Sequence, residues 1–268
     1  MSSSSLTAAW VVTGSALLML AGCTSPTPDS PTDSNSATAP AQWSYDTDAA
    51  DGPANWGSLP GYGECGPNDK RQSPIAIDRG TAIDVDRAAP TVRFREAAAT
   101  MTNNGHSVEA DIEEGGELLN QGAEYELANV HFHAPSEHEL DGREFPLEIH
   151  FVSKNESGAA VVGLLVEQGP AAPAWESFIA GLRQVPQPGN QAEAELPVPE
   201  LLPARFRAFE YAGGLTTPPC SPIVAWSVVS EPMTMSADQI AAFTDVYSDD
   251  DRPVQPLNDR VVELTTRN

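Results

Sequence analysis

Asn129-Val130-His131-Phe132-His133 and Leu147-Glu148-Ile149-His150-Phe151-Val152 change character at every second position. A period of two belongs to a β-strand, whose successive side chains point to opposite faces. His131 and His133 then share one face, with Val130 and Phe132 on the other. Glu148, His150 and Val152 share a face of the second run, and Asp141-Gly142 between the runs is a turn signal. Two neighbouring strands would bring three imidazoles together and leave a fourth tetrahedral position open. That is the arrangement of catalytic zinc, not of a closed structural site. Asn129 and Glu148 each stand two residues before a histidine and on its face, placed to accept the ring's other N–H and fix its tautomer. A lone histidine on a half-apolar strand is more often a hydrogen-bonded core residue. Here, however, all five histidines of the chain fall between positions 106 and 150.

Around these runs the chain reads as mainly β. Further strands are expected at 107–112, 159–166, 206–211 and 223–229, and the two histidine runs extend to 125–133 and 147–153; Gly, Asp, Asn or Pro clusters separate most of them. Helical signals are few: 175–182 and 236–246, the latter with Ser236 and Gln239 at capping-box spacing. Long loops should carry most of the 24 prolines.

The first 22 residues read as a signal peptide. Residues 8–21 form an apolar run too short for a membrane span, ending in Leu20-Ala21-Gly22-Cys23, which looks like a bacterial lipobox with Cys23 as the lipidated residue. No Lys or Arg precedes it, so a signal peptide cut elsewhere is the alternative. Residues 23–41 hold Ser, Thr, Pro, Asp, Asn and Ala in the main and read as a disordered tether. One globular domain is expected over 42–268, exported to the cell surface or periplasm and anchored there by lipid.

With Cys23 lipidated, Cys65 and Cys220 remain, a pair expected to form a disulfide in an exported protein. Two buried thiols are the alternative. The net charge of −24, with Lys70 and Lys154 the only lysines, repels nucleic acid and anionic membranes. Carboxylates spread along the chain read as a solvated acidic shell suited to high salt, for which a stability that rises with salt is the expected signature.

Seven strings in order give a specific resemblance. They are Trp43-Ser44-Tyr45, Gly63-Glu64-Cys65-Gly66 leading to Arg71-Gln72-Ser73-Pro74-Ile75, Asn103-Asn104-Gly105-His106, His131-Phe132-His133-Ala134-Pro135-Ser136-Glu137-His138, Pro146-Leu147-Glu148-Ile149-His150, Gly214-Leu215-Thr216-Thr217-Pro218-Pro219-Cys220, and Arg252-Pro253-Val254-Gln255-Pro256-Leu257. Over nearly the whole domain the chain resembles the α-class carbonic anhydrases of the bacterial, exported type. The resemblance implies an α+β domain, mainly β with a few short helices, around a large twisted, mostly antiparallel central sheet. It implies Zn2+ on His131, His133 and His150, and hydration of CO2 to bicarbonate by zinc-bound hydroxide. Thr216 and Glu137 would orient that nucleophile, and Thr217 would contact bicarbonate. Val152, Val161, Leu215, Val224 and Trp226 would form the CO2 wall. His106 would shuttle the proton through waters ordered by Tyr45, Asn103 and Asn104. His138 would be structural. Asn129 replaces the family's usual Gln and is one methylene shorter, so its bond to His131 is expected to be water-mediated or absent.

Two other functions compete. A zinc peptidase or esterase is disfavoured because no His-Glu-x-x-His string occurs. A non-catalytic relative kept as a surface binding module usually lacks a zinc histidine, and here all three are present.

Overall fold

The computed structural model describes residues 41–267. The expected signal peptide, Cys23 and all but the last residue of the expected tether lie outside the described residues. In chain order the strands are β1 (Ala76–Ile77), β2 (Ile83–Ala88), β3 (Thr91–Phe94), β4 (Ala97–Asn103), β5 (Val108–Ile112), β6 (Gly116–Asn120), β7 (Ala123–His133) and β8 (Glu139–Leu140). They continue as β9 (Leu147–Asn155), β10 (Gly158–Gln168), β11 (Gln191–Leu196), β12 (Ala208–Gly213), β13 (Val224–Val229), β14 (Met233–Met235) and β15 (Glu263–Arg267). Three short α-helices accompany them: α1 (Glu176–Leu182), α2 (Val198–Leu201) and α3 (Ala237–Thr244).

Thirteen strands form one sheet whose main path runs β11-β4-β5-β7-β9-β10-β13-β12-β15-β2. Most neighbours are antiparallel; β10 pairs parallel with β13 and β14, and β15 with β2. The central strands β9 and β10 are almost wholly buried; β10 accordingly reads as a near-continuous apolar run, while β9 keeps its alternation because its polar residues Glu148 and His150 are buried too. β2, at one end of the path, has the sequence IDVDRA and is largely exposed. Its charges discourage pairing with another chain.

The sheet divides the interior into two cores. On one face Phe132, Phe151, Val162, Trp175, Phe178 and Phe243 pack together beneath α1 and α3. On the other, Val152, Val161, Tyr211, Val224, Trp226 and Leu264 pack together. Each such large side chain contributes about 1.5–3 kcal/mol on burial.

Local signals explain the boundaries. Ser236 and Gln239 form a complete capping box at the start of α3, and losing such a cap costs about 1 kcal/mol. The helix expected from residue 175 begins as α1 one residue later, because Pro173 opens a 3-10 turn that ends at Trp175. The strand expected at 206–211 lies two residues further on, as β12. Asp141 and Gly142 both take positive φ, 56° and 72°, in the turn that joins Leu140 to Arg143, the backbone for which Asp-Gly is suited. Cys65 and Cys220 are disulfide-bonded across a separation of 155 residues.

Candidate metal centre

β7 and β9 are antiparallel neighbours, with His131 opposite His150 and His133 opposite Glu148. The strand period puts the imidazoles on one face, and the register puts them at one level. Their ring centroids lie 4.9–5.2 Å apart.

The second nitrogen of each ring is held by an acceptor. His131 Nδ1 lies 3.0 Å from Asn129 Oδ1, and His133 Nδ1 lies 2.7 Å from the carbonyl oxygen of Asp250. His150 Nε2 lies 2.9 Å from Glu148 Oε1. A carbonyl or carboxylate oxygen only accepts, so the proton of each neutral ring sits on that nitrogen. Bare lone pairs are left on His131 Nε2, His133 Nε2 and His150 Nδ1, and they converge. His133 Nε2 is buried without a hydrogen-bond partner, and His131 Nε2 faces His150 Nδ1 at 3.3 Å. These three residues form a group able to hold a metal ion. Burial first, then repulsion from the neighbouring imidazoles, holds His131 well below the usual imidazole pKa. Burial likewise lowers His150 to about 4. Neutral imidazole is the ligand form.

Asn129 corrects one expectation: its bond to His131 is direct. The β7–β9 register shifts between Leu127 and Asn129. Asn129 and His131 stand two apart on one strand face, close enough for the shorter amide to reach Nδ1 directly.

His138, Glu148 and His150 form a second cluster with metal-ligand spacing, but its ring nitrogens are already engaged. His138 Nδ1 lies 2.7 Å from Glu148 Oε1, and His138 Nε2 lies 2.7 Å from the Tyr211 hydroxyl, which in turn lies 3.0 Å from Ser73 Oγ. No lone pair is left over, so this is a buried hydrogen-bond chain behind His150.

Glu137 is 2% exposed. Its Oε1 accepts the Arg252 N–H at 3.0 Å, while Oε2 lacks a full hydrogen bond and lies 3.4 Å from His133 Nε2. Burial pushes its carboxyl up to about 8, although the adjacent Thr216 hydroxyl pulls it down. Val152, Val161, Val224 and Trp226, with Leu215 packed against them, belong to the core on this face. Trp226 stacks edge-on to His150 at 4.9 Å. Thr217 is half-buried beside Thr216.

His106 lies flat on Trp43, with centroids 3.8 Å apart and planes 10° apart, and burial lowers its pKa. Asn104 Oδ1 accepts the N–H groups of His106 and Ser107. Asn103 is bound to Val185, Gly105 and Tyr247. Both amides therefore shape the turn that presents His106. Of the three residues expected to order waters, Tyr45 alone has a buried hydroxyl without a protein partner.

A family model described as eukaryotic-type carbonic anhydrase matches residues 51–266. The chain belongs to the α-carbonic anhydrase family. Carbonic anhydrase of Pectobacterium carotovorum is 37% identical over 235 residues, covering 85% of this chain and 93% of the relative. The α-carbonic anhydrase of Thermovibrio ammonificans, solved with sulfanilamide, is 35% identical with a TM-score of 0.77, over 84% of this chain and 99% of that one. The Photobacterium profundum α-carbonic anhydrase is 32% identical with a TM-score of 0.74, over 83% of this chain and 100% of that one. Membership makes the protein a carbonic anhydrase and supports hydration of CO2 as its activity.

Four contacts around the centre escaped the sequence reading. Trp43 and Arg252 stand inside recognisable strings, but their stacking and main-chain roles have no sequence mark. Asp250 acts through a carbonyl, which every residue possesses. Tyr211 reaches His138 only through the fold.

Proposed function

We propose that this carbonic anhydrase hydrates CO2 reversibly with Zn2+ held by His131 Nε2, His133 Nε2 and His150 Nδ1, and exports the proton through His106. The observation that carries this reading is the convergence of three bare imidazole lone pairs, each fixed by an acceptor behind it. Zinc bound there supplies a Lewis acid that ionises water near pH 7, an established property of carbonic anhydrases.

The chain's own residues do the rest. Asn129, the Asp250 carbonyl and Glu148 keep the ligand nitrogens unprotonated. Glu137, fixed by the Arg252 N–H, has Oε2 left to accept from Thr216. The Thr216 oxygen then faces the cleft as an acceptor and orients the attacking oxygen by its proton. Val152, Val161, Leu215, Val224 and Trp226 give weakly hydrated CO2 a dry wall, and Thr217 supplies a hydroxyl for the more polar bicarbonate. His106 takes a proton from the cleft and releases it to buffer, which a group titrating near neutrality does in both directions.

Stopped-flow CO2 hydration tests the reading. Activity that disappears with a chelator and returns with zinc is expected; activity indifferent to zinc removal would overturn it. We further propose, from Leu20-Ala21-Gly22-Cys23 alone, that the enzyme is exported and lipidated at Cys23. Mass spectrometry of the mature N-terminus should find acylated Cys23, and any other N-terminus refutes this.

A further inference from the structure

Glu109 on β5 stands directly opposite His131 on β7. Directly opposed residues of an antiparallel pair share a face, with Cβ atoms about 4.5–5.5 Å apart. Their neighbours confirm which face this is. Val108 and Ala110 on β5, like Val130 and Phe132 on β7, belong to the core beneath α1 and α3. Glu109 and His131 look the other way, and both are half-buried. Two residues along β5, Asp111 stands opposite Asn129 on the same face and is exposed.

Asn104 Nδ2 donates to Glu109 Oε1 at 2.8 Å, which fixes the carboxylate in place. Glu109 is not one of the three converging ligands, yet its charge is felt around them. Burial first, then Glu137 and other carboxylates including Glu109, raises the Tyr45 hydroxyl. Burial and Asp111 push the Glu109 carboxyl itself up, while Lys154, the Asn104 bond and His133 draw it down. A carboxylate thus sits beside the metal position without ligating it.

The two sides of the reaction respond differently to such a charge. CO2 carries no net charge and is neither attracted nor repelled by it. Bicarbonate and inorganic anions are repelled, and more strongly in a cleft than in open water. We propose that Glu109, helped by Asp111, is a specificity-determining residue that weakens binding of anions at the metal position and leaves CO2 untouched. The inference rests on the zinc reading above. It gives part of the acidic charge a role in the reaction: the product leaves more easily, and other anions compete less.

A single charge acts on a bound anion and on the bound metal with opposite signs, and this supplies the test. Thiocyanate binding to the zinc-loaded enzyme is measured by calorimetry at low ionic strength. A pH of about 6.5 lies below the point near 7 at which hydroxide begins to compete for zinc. Zinc affinity is measured separately by chelator competition. Glu109→Gln keeps an acceptor for Asn104 and loses the charge. It should tighten thiocyanate about threefold and weaken zinc, doubly charged and of opposite sign, about tenfold. Asp111→Asn should move both the same way, about twofold and fourfold, and its exposed position keeps the test open if Glu109→Gln does not fold. A merely structural loss would weaken both ligands together. Thiocyanate affinity unchanged or weakened in the variants, or zinc affinity unchanged, would overturn the proposal. Thiocyanate that binds the parent no better with zinc than without it would overturn the zinc reading itself, and the proposal with it.

Discussion

Glu148 Oε1 lies 2.9 Å from His150 Nε2, and that contact decides which nitrogen of His150 is bare. Glu148 is fully buried, and burial alone would raise its carboxyl pKa. The charges and hydrogen bonds of His138 and His150 outweigh burial and hold it well below the usual range. Replacing it outright would leave two imidazoles without their acceptor. A subtler perturbation is available from the opposite strand.

Gly163 on β10 pairs with His150, and a Cβ placed on it would sit 2.9 Å from Glu148 Oε1. That oxygen is the end of a side chain, but two hydrogen bonds hold it, so it cannot yield freely. Gly163→Ala should displace Glu148 from His150 and lower zinc affinity about tenfold, the lower end of what losing such a partner costs. Chelator competition measures this. Affinity equal to the parent's would show that the contact does not govern the ligand.

Asn129→Ala removes the acceptor of His131 Nδ1 without touching a ligand atom. Zinc affinity should fall about 10–100-fold, with thermal stability measured on the zinc-free protein changing little, since Asn129 is small. Asn129→Gln should retain most of the affinity. If Asn129→Ala binds zinc like the parent, the direct bond does not orient the ring.

Much of this centre was readable because strand geometry is periodic. His131, His133 and His150 needed only a period of two and adjacency, and Ser236 with Gln239 needed only helical spacing. The acceptor of His133 was not readable, since a main-chain carbonyl leaves no trace in residue type. Nor was the Tyr211 link, which arises when strands distant in sequence pack together. The outer strand β2 was missed for a related reason: its exposed, charged residues lack the apolar signal on which strand reading depends. The Asn129 reach failed differently, because the distance between neighbours on one strand face depends on the rotamers of both side chains, which residue length alone does not fix.

Trp43 covers one face of the His106 ring, and burial is what lowers that imidazole's pKa. Trp43→Ala should therefore raise it toward the ordinary value near 6.5, readable in the imidazole proton shifts by NMR. In weak buffer, His106→Ala should slow CO2 hydration, and added imidazole should restore it. A His106 pKa unmoved by Trp43→Ala would show that the indole is not the source of the desolvation.

Glu137 links the centre to stability through protons. Its carboxyl is pushed from 4.5 to about 8, mainly by burial. Between those values the folded, zinc-free protein holds a proton that the unfolded chain has released. The sign follows: stability falls as pH rises through this window. A tenfold difference in proton affinity between the two states corresponds to about 1.4 kcal/mol, so several kcal/mol is the ceiling. Glu137→Gln cannot ionise and should flatten the decline in melting temperature between about pH 5 and 8. Asp250, raised to about 7 by burial, contributes with the same sign and is unchanged in the variant, so a shallower slope is expected, not a flat one. A slope identical to the parent's, measured by calorimetry on both zinc-free proteins, would show that Glu137 is already ionised in the fold and that its partners, Thr216 and the Arg252 N–H, outweigh burial.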